Sequence, residues 1–132
     1  MSDPLVSNQA LLDFSNRKLL SPVPKKLYES AAVYFSKKDL DLLQTAYNVA
    51  FEAHKDQFRK EGSAYITHPI EVASILTELH LDVETVCAGL MHDVLEDSFI
   101  KKSYLEKLFG KEIVAIVDGV SNLNKLDFDS IE

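Results

Sequence analysis

Between Asp82 and Asp97 apolar residues recur at helical spacing: Val83, Val86, Cys87, Leu90, Met91, Val94 and Leu95 lie alternately three residues and one residue apart. A strand would need alternation by two, so only a helix gathers these side chains onto one side. Asp82 offers a capping carboxylate at its start. On a helical wheel with Val83 at zero, His92 falls at about 180°, Glu96 at about 220°, Asp93 at about 280° and Asp97 at about 320°. The ionisable groups therefore share one face, together with the small residues Thr85, Ala88 and Gly89. A glycine inside a helix costs about 1 kcal/mol relative to alanine, which points to close approach of a neighbouring helix at Gly89. Such a helix belongs at the centre of a fold, with a cavity or site along its second face.

The rest of the chain reads as further helices. Residues 25–35 put Leu27, Ala31, Tyr34 and Phe35 on one face. Ser36, with Asp39 three residues on, is a capping-box start for a helix from Lys37 to about Phe58, carrying Leu40, Leu43, Tyr47, Ala50, Phe51 and His54. Arg59 to Ser63 is a polar loop containing Gly62. Pro69 suits the first turn of the next helix, where its missing N–H costs nothing, and Val72, Ile75, Leu76 and Leu79 form that helix's expected core face. Ser103 and Glu106 resemble a second capping box, opening a short helix that Gly110 closes. A last helix from about Lys111 to Asn124 turns Ile113, Ile116, Val117, Val120 and Leu123 inward. No segment reads as a strand, and the predicted class is all-α. Residues 1–24, interrupted by Pro4, Pro22 and Pro24, are expected to be weakly structured, although Leu11, Leu12 and Phe14 could form a short helix. Residues 25–126 are expected to form the domain and 127–132 a polar tail.

A chain of 132 residues with 46% hydrophobic content and few glycines or prolines can bury one core. Its net charge of −7 and the lack of a basic stripe disfavour a nucleic-acid-binding surface, and no direct nucleic-acid binding is expected. A small polyanion remains admissible, because an ion and a few local cations can dominate the field of a pocket. The lone Cys87 sits among apolar residues as a core side chain and cannot form an internal disulfide, which favours the reducing cytoplasm. No apolar run approaches the ~20 residues that span a bilayer, and no membrane association is expected.

From His68 to Asp97 the sequence collects two candidate imidazoles and three carboxylates in a segment otherwise read as buried helix. Burying such groups is costly unless a cation or a substrate satisfies them. Imidazole nitrogen with carboxylate oxygen is also the donor set of a divalent transition metal. Acidic residues at a helix C-terminus oppose the macrodipole, so solvation alone accounts poorly for Glu96 and Asp97. His68 by itself reads more readily as a capping or packing residue before Pro69 than as a ligand. His54 reads as a partly buried helix residue and His80 as a surface one. Arg59 and Lys60 suit a helix C-terminus electrostatically; alternatively, an arginine fork and plane suit phosphate or a base.

Taken together, the segments Ala53–Arg59, Gly62–Pro69, Leu90–Asp97, Phe109-Gly110 and Val117–Val120 resemble the N-terminal hydrolase domain of RelA/SpoT-family alarmone enzymes, within the HD metal-dependent phosphohydrolase superfamily. The resemblance runs from about residue 40 to residue 126. It implies an HD-type helical bundle and Mn²⁺-dependent removal of the 3′-pyrophosphate from (p)ppGpp, giving GDP or GTP. By motif position it implies His68, His92 and Asp93 as metal ligands, Glu96 and Asp97 as the groups that orient or deprotonate water, and Arg59 and Lys60 as nucleotide contacts. Arg59 is expected at the pocket rim with its guanidinium free to stack. Intact His-Asp and Glu-Asp pairs place the chain with hydrolase-competent members.

The family's fourth ligand is an aspartate in a later Leu-Ala-Asp-Arg-Leu-His-Asn-like segment, which this sequence does not contain. The chain is accordingly read as a truncated N-terminal piece, weak or inactive alone, whose parent carries synthetase and regulatory domains. Exposed helix faces would then make a dimer possible. Two other functions fit parts of the sequence: another HD-superfamily nucleotide phosphohydrolase, and a catalytically silent regulatory or interaction module.

Overall fold

The computed structural model describes residues 22–97 and 100–120, with the side chain of Asp97 outside the described set. The described residues are helical, with no strand beyond one isolated bridge between Phe58 and Ala64. In chain order the helices are α1 (Lys25–Ala32), α2 (Lys37–His54), α3 (Thr67–Glu78), α4 (Val83–Met91), α5 (Val94–Asp97), α6 (Lys102–Phe109) and α7 (residues 111–120). No described helix is long and apolar enough to cross a membrane. The weakly structured segment expected at the N-terminus lies outside the described residues up to position 21, as do the end of the last helix and the polar tail.

Ser36 and Asp39 form the expected capping box: the serine hydroxyl accepts from the Asp39 N–H at 3.1 Å, and the Asp39 carboxylate accepts from the Ser36 N–H at 3.3 Å. Asp82 caps α4 by accepting from the Thr85 N–H. Helix α2 stops four residues short of Phe58, because the Gln57 N–H bonds back to the His54 carbonyl and the chain turns into a hairpin-like loop. In that loop Tyr65 N–H donates to Gln57 O, and Arg59 N–H to Ser63 O. Gly62 takes a φ of 101°, a conformation that costs a residue without Cβ little.

Helices α2 and α4 form the centre. Leu43, Val49 and Ala50 of α2 are fully buried, as are Val86, Cys87, Leu90 and Met91 of α4. Each large aliphatic side chain so removed from water contributes about 1.5–3 kcal/mol. Gln44 satisfies the buried Asn48 by donating to its amide oxygen at 3.0 Å.

Helix α3 packs against both α1 and α4, and only half of the predicted face takes part: Val72 and Leu76 meet α4 at Gly89, whereas Ile75 and Leu79 do not turn inward. Pro69, Ala73 and Thr77 are its buried residues, while Ile75 and Leu79 are 57% and 65% exposed. The residues buried outright are small, and the larger Val72 and Leu76 fit only where α4 presents Gly89. Thr77 satisfies its hydroxyl by donating to the Ser74 carbonyl. Ser103 does not cap α6: Lys101 holds the cap position with no side-chain bond, and Ser103 falls inside the first turn. Gly110 does end that helix, at φ 87°.

Candidate metal centre

The long helix expected from Val83 to Asp97 is broken at His92 and Asp93, which form a turn between α4 and α5. His92 keeps helical φ and ψ at the C-cap of α4, and its Nδ1 lies 2.8 Å from the Gly89 carbonyl oxygen. A carbonyl only accepts, so Nδ1 carries the hydrogen and Nε2 of the neutral ring presents a lone pair. That Nε2 lies 3.2 Å from Asp93 Oδ2. Two acceptors facing each other at this distance require a proton or a cation between them.

His68 enters from the first turn of α3, where Pro69 follows it. Its ring centroid is 5.3 Å from that of His92, with the planes at 69°. One donor atom each from His68, His92 and Asp93 lies within 4.8 Å of the others. Donors about 2.1 Å from a common ion stand up to about 4.2 Å apart, so a slight side-chain rotation brings this set to bonding distance. His92 is buried, and the other two are half-buried.

Electrostatics favour the ligating forms. Burial, helped by the charges of His92 and Arg59, holds the His68 pKa below its ordinary value despite Asp93 and Glu71. The ring therefore stays neutral with a lone pair available. Burial pushes Asp93 upward, but the contact with His92, the hydrogen bond from the Tyr65 hydroxyl and the positive charge that His92 and His68 carry in their protonated forms outweigh it, leaving its pKa lowered. The residues present thus match a divalent ion in donor type, separation and protonation.

Beside this cluster the loop after α2 forms one wall of an open cleft of about 770 Å³, lined by Phe58, Arg59, Lys60, Glu61, Tyr65 and His68. Arg59 stands at the rim as expected, but its guanidinium is not free: Nε lies 3.5 Å from Glu61 Oε1. Both side chains are largely exposed, 39% and 63%, and such a pair contributes little. A second, apolar cleft of about 390 Å³, walled by Val72, Leu76, Ala88 and Ile116, opens onto His68 and His92. It realises the cavity expected along the second face of α4. Gly89 serves close packing there, since a Cβ would meet Leu76 Cδ1 at 2.6 Å.

The cluster among the described residues is His68, His92 and Asp93; Glu96, exposed on α5, stands outside it. The Asp97 side chain lies outside the described residues. Two residues were missed as site components. Tyr65 donates its hydroxyl to Asp93 Oδ2 at 2.7 Å, and its position three residues before His68 was the available signal. His54 is fully buried beneath Tyr65, with ring centroids 4.6 Å apart, and nothing in the local pattern marked it. His80 is a surface residue as read, at φ 57° and stacked on Tyr34. Cys87 is a core residue as read, its thiol pushed up to about 12 by burial.

The fold thus brings a histidine from the start of α3 beside a His-Asp pair at the end of α4. Residues 46–129 match the HD domain family, and the chain belongs to it. It is similar to the bifunctional (p)ppGpp synthase/hydrolase SpoT of Escherichia coli K12, 44% identical over 104 residues that cover 79% of this chain and 15% of that protein. A guanosine-3′,5′-bis(diphosphate) 3′-pyrophosphohydrolase of Haemophilus influenzae is 52% identical over 80 residues, covering 61% of this chain and 12% of that protein. A probable GTP pyrophosphokinase of Mycobacterium leprae is 38% identical over 112 residues, covering 85% and 14%. These similarities bear out the RelA/SpoT resemblance read from the sequence. The chain spans only 12–15% of the length of these relatives.

Proposed function

We propose that this domain provides the metal-dependent site at which (p)ppGpp loses its 3′-pyrophosphate. The observation that carries the reading is the convergence of His68, His92 and Asp93 within 4.8 Å, beside a cleft lined by Arg59 and Lys60. Those three side chains would hold Mn²⁺, which supplies positive charge at the phosphate oxygens and lowers the pKa of water.

Glu96 and Asp97, on the turn beyond the His-Asp pair, would orient the attacking water and accept its proton. Water adds to phosphorus, the bond to the 3′-oxygen breaks, and GDP or GTP leaves with pyrophosphate as the second product. Lys60 and Arg59 would meet the nucleotide. On a chain of net charge −7 they form a local cationic edge, and the exposed Arg59–Glu61 pair yields readily to a bidentate phosphate. The described residues supply three protein donors, and water, substrate or further protein groups would complete the shell of the ion. As in the bifunctional synthase/hydrolase it resembles, this domain would work beside a synthetase domain and regulatory domains, in the cytoplasm.

The test is incubation of the chain with Mn²⁺ and ppGpp, with chromatographic detection of GDP, beside a panel of deoxynucleoside monophosphates and cyclic nucleotides. GDP should form slowly, stop with chelator and vanish in Asp93→Asn. Cleavage of another nucleotide in preference to ppGpp would assign the site to a different HD phosphohydrolase. Mn²⁺ uptake without any turnover, in this chain and in one extended by the relatives' next residues, would favour the silent module.

A further inference from the structure

We propose that Tyr65 is a positioning residue that fixes the Asp93 carboxylate for metal binding, and that the ring of His54 is the platform holding Tyr65 in place. This inference rests on the metal reading above. Asp93 occupies the turn where α4 breaks, so its backbone lacks the rigidity of a continuous helix. Its Oδ2 accepts the Tyr65 hydroxyl at 2.7 Å and faces His92 Nε2 at 3.2 Å. A bond from a phenol to an ionised carboxylate is short and strong. It occupies one lone-pair direction of Oδ2 and leaves the carboxylate's remaining capacity turned toward the two imidazoles.

A hydroxyl can direct a carboxylate only if its own ring is held. The Tyr65 N–H is bonded to the Gln57 carbonyl at 3.0 Å, which pins the backbone. The ring rests on His54, centroid to centroid 4.6 Å and tilted by 31°. His54 is 1% exposed in the last turn of α2, and its Nδ1 pairs with the Gln57 side-chain oxygen at 3.0 Å. Its Nε2 is buried and has no hydrogen-bond partner among the described residues. It is the face of the imidazole that Tyr65 rests on, not that nitrogen. Tyr65 also lines the cleft assigned to the nucleotide, but its hydroxyl is committed to Asp93.

Calorimetric titration with Mn²⁺ separates these roles in wild type, Tyr65→Phe, His54→Phe and His54→Ala, with thermal unfolding of each metal-free chain alongside. Outer partners of metal ligands typically contribute about 10- to 100-fold in affinity. Tyr65→Phe should bind Mn²⁺ weaker by that factor while melting close to wild type. His54→Phe keeps a ring under Tyr65 and should stay within about threefold of wild type, whereas His54→Ala should approach the Tyr65→Phe loss. Equal affinity of Tyr65→Phe and wild type overturns the proposal, as does a His54→Phe loss as large as that of Tyr65→Phe. Should Tyr65→Phe fail to fold, the two His54 variants decide, and equal affinities for them refute the platform. No Mn²⁺ uptake by wild type would sink the metal reading itself, and this inference with it. Normal uptake with an unaffected Tyr65→Phe sinks this inference alone.

Discussion

Replacing Gly89 with alanine sets two effects of opposite sign against each other at the contact between α3 and α4. In mid-helix the added methyl gains about 1 kcal/mol of helix propensity. It also lands 2.6 Å from Leu76 Cδ1 and 3.3 Å from Val72 Cγ1. Carbon atoms pack best at about 3.5–4.0 Å, so the Leu76 methyl must retreat by about 1 Å. Leu76 borders the apolar cleft and can turn into it. An off-rotamer side chain costs about 0.5–1.5 kcal/mol, and inserted methylenes in packed cores cost about 1–3 kcal/mol. The net expectation for Gly89→Ala is a destabilisation of about 0–2 kcal/mol. In a Leu76→Ala background the main obstacle is gone, and the same substitution should stabilise by up to about 1 kcal/mol. Urea unfolding of wild type, both single variants and the double variant at one temperature gives the coupling, expected at about 1–3 kcal/mol. A coupling below about 0.5 kcal/mol would refute the argument, because the two positions would then be independent.

Ser36→Ala removes the hydroxyl that accepts from Asp39 N–H and should destabilise the chain by about 1 kcal/mol, read as a shift in urea midpoint, with Ser36→Gly milder. Cys87, with its thiol pushed up to about 12, should resist alkylating reagents at pH 8 in the folded chain and react at once in denaturant, since the thiolate fraction is on the order of 10⁻⁴. His68 has a folded pKa below its unfolded value of 6.5, so the unfolded chain binds more protons between the two values. Metal-free stability contributed by His68 is therefore full above pH 6.5 and declines as pH falls through the folded pKa. The wild-type urea midpoint should drop relative to that of His68→Gln over that window, and parallel profiles would refute it.

Boundaries set by local chemistry were legible. Ser36 with Asp39, Asp82 before Val83, and Gly110 after Phe109 each start or end a helix through groups within four residues. The all-α class followed from such spacings, whereas the His68–His92–Asp93 grouping came from the family resemblance, since His68 alone reads as a packing residue. What escaped was set by distant partners. Periodicity carried a helix through His92 and Asp93, where no glycine or proline intervenes; in the fold, Asp93 is engaged by Tyr65, 28 residues earlier. Hydropathy chose Ile75 and Leu79 for the α3 core, but the closeness of the neighbouring helices selected Ala73 and Thr77. Ser103 had the right neighbour at the right distance, yet the helix began one residue before it. Arg59 was read as a lone cation because Glu61 meets it only once the loop turns.

The loop between Gln57 and Tyr65 divides its labour between base and tip. At its base, Tyr65 is tied to Gln57 by a backbone bond and to Asp93 by its hydroxyl. At its tip, Lys60 and Gly62 project away from the buried body. On the proposed function, substitutions at the tip would redraw which anions the cleft welcomes without disturbing the donor set, while a change at the base would be felt by the metal ligands at once. Selectivity and reactivity would then be separable traits, free to diverge at different rates along one short stretch of chain.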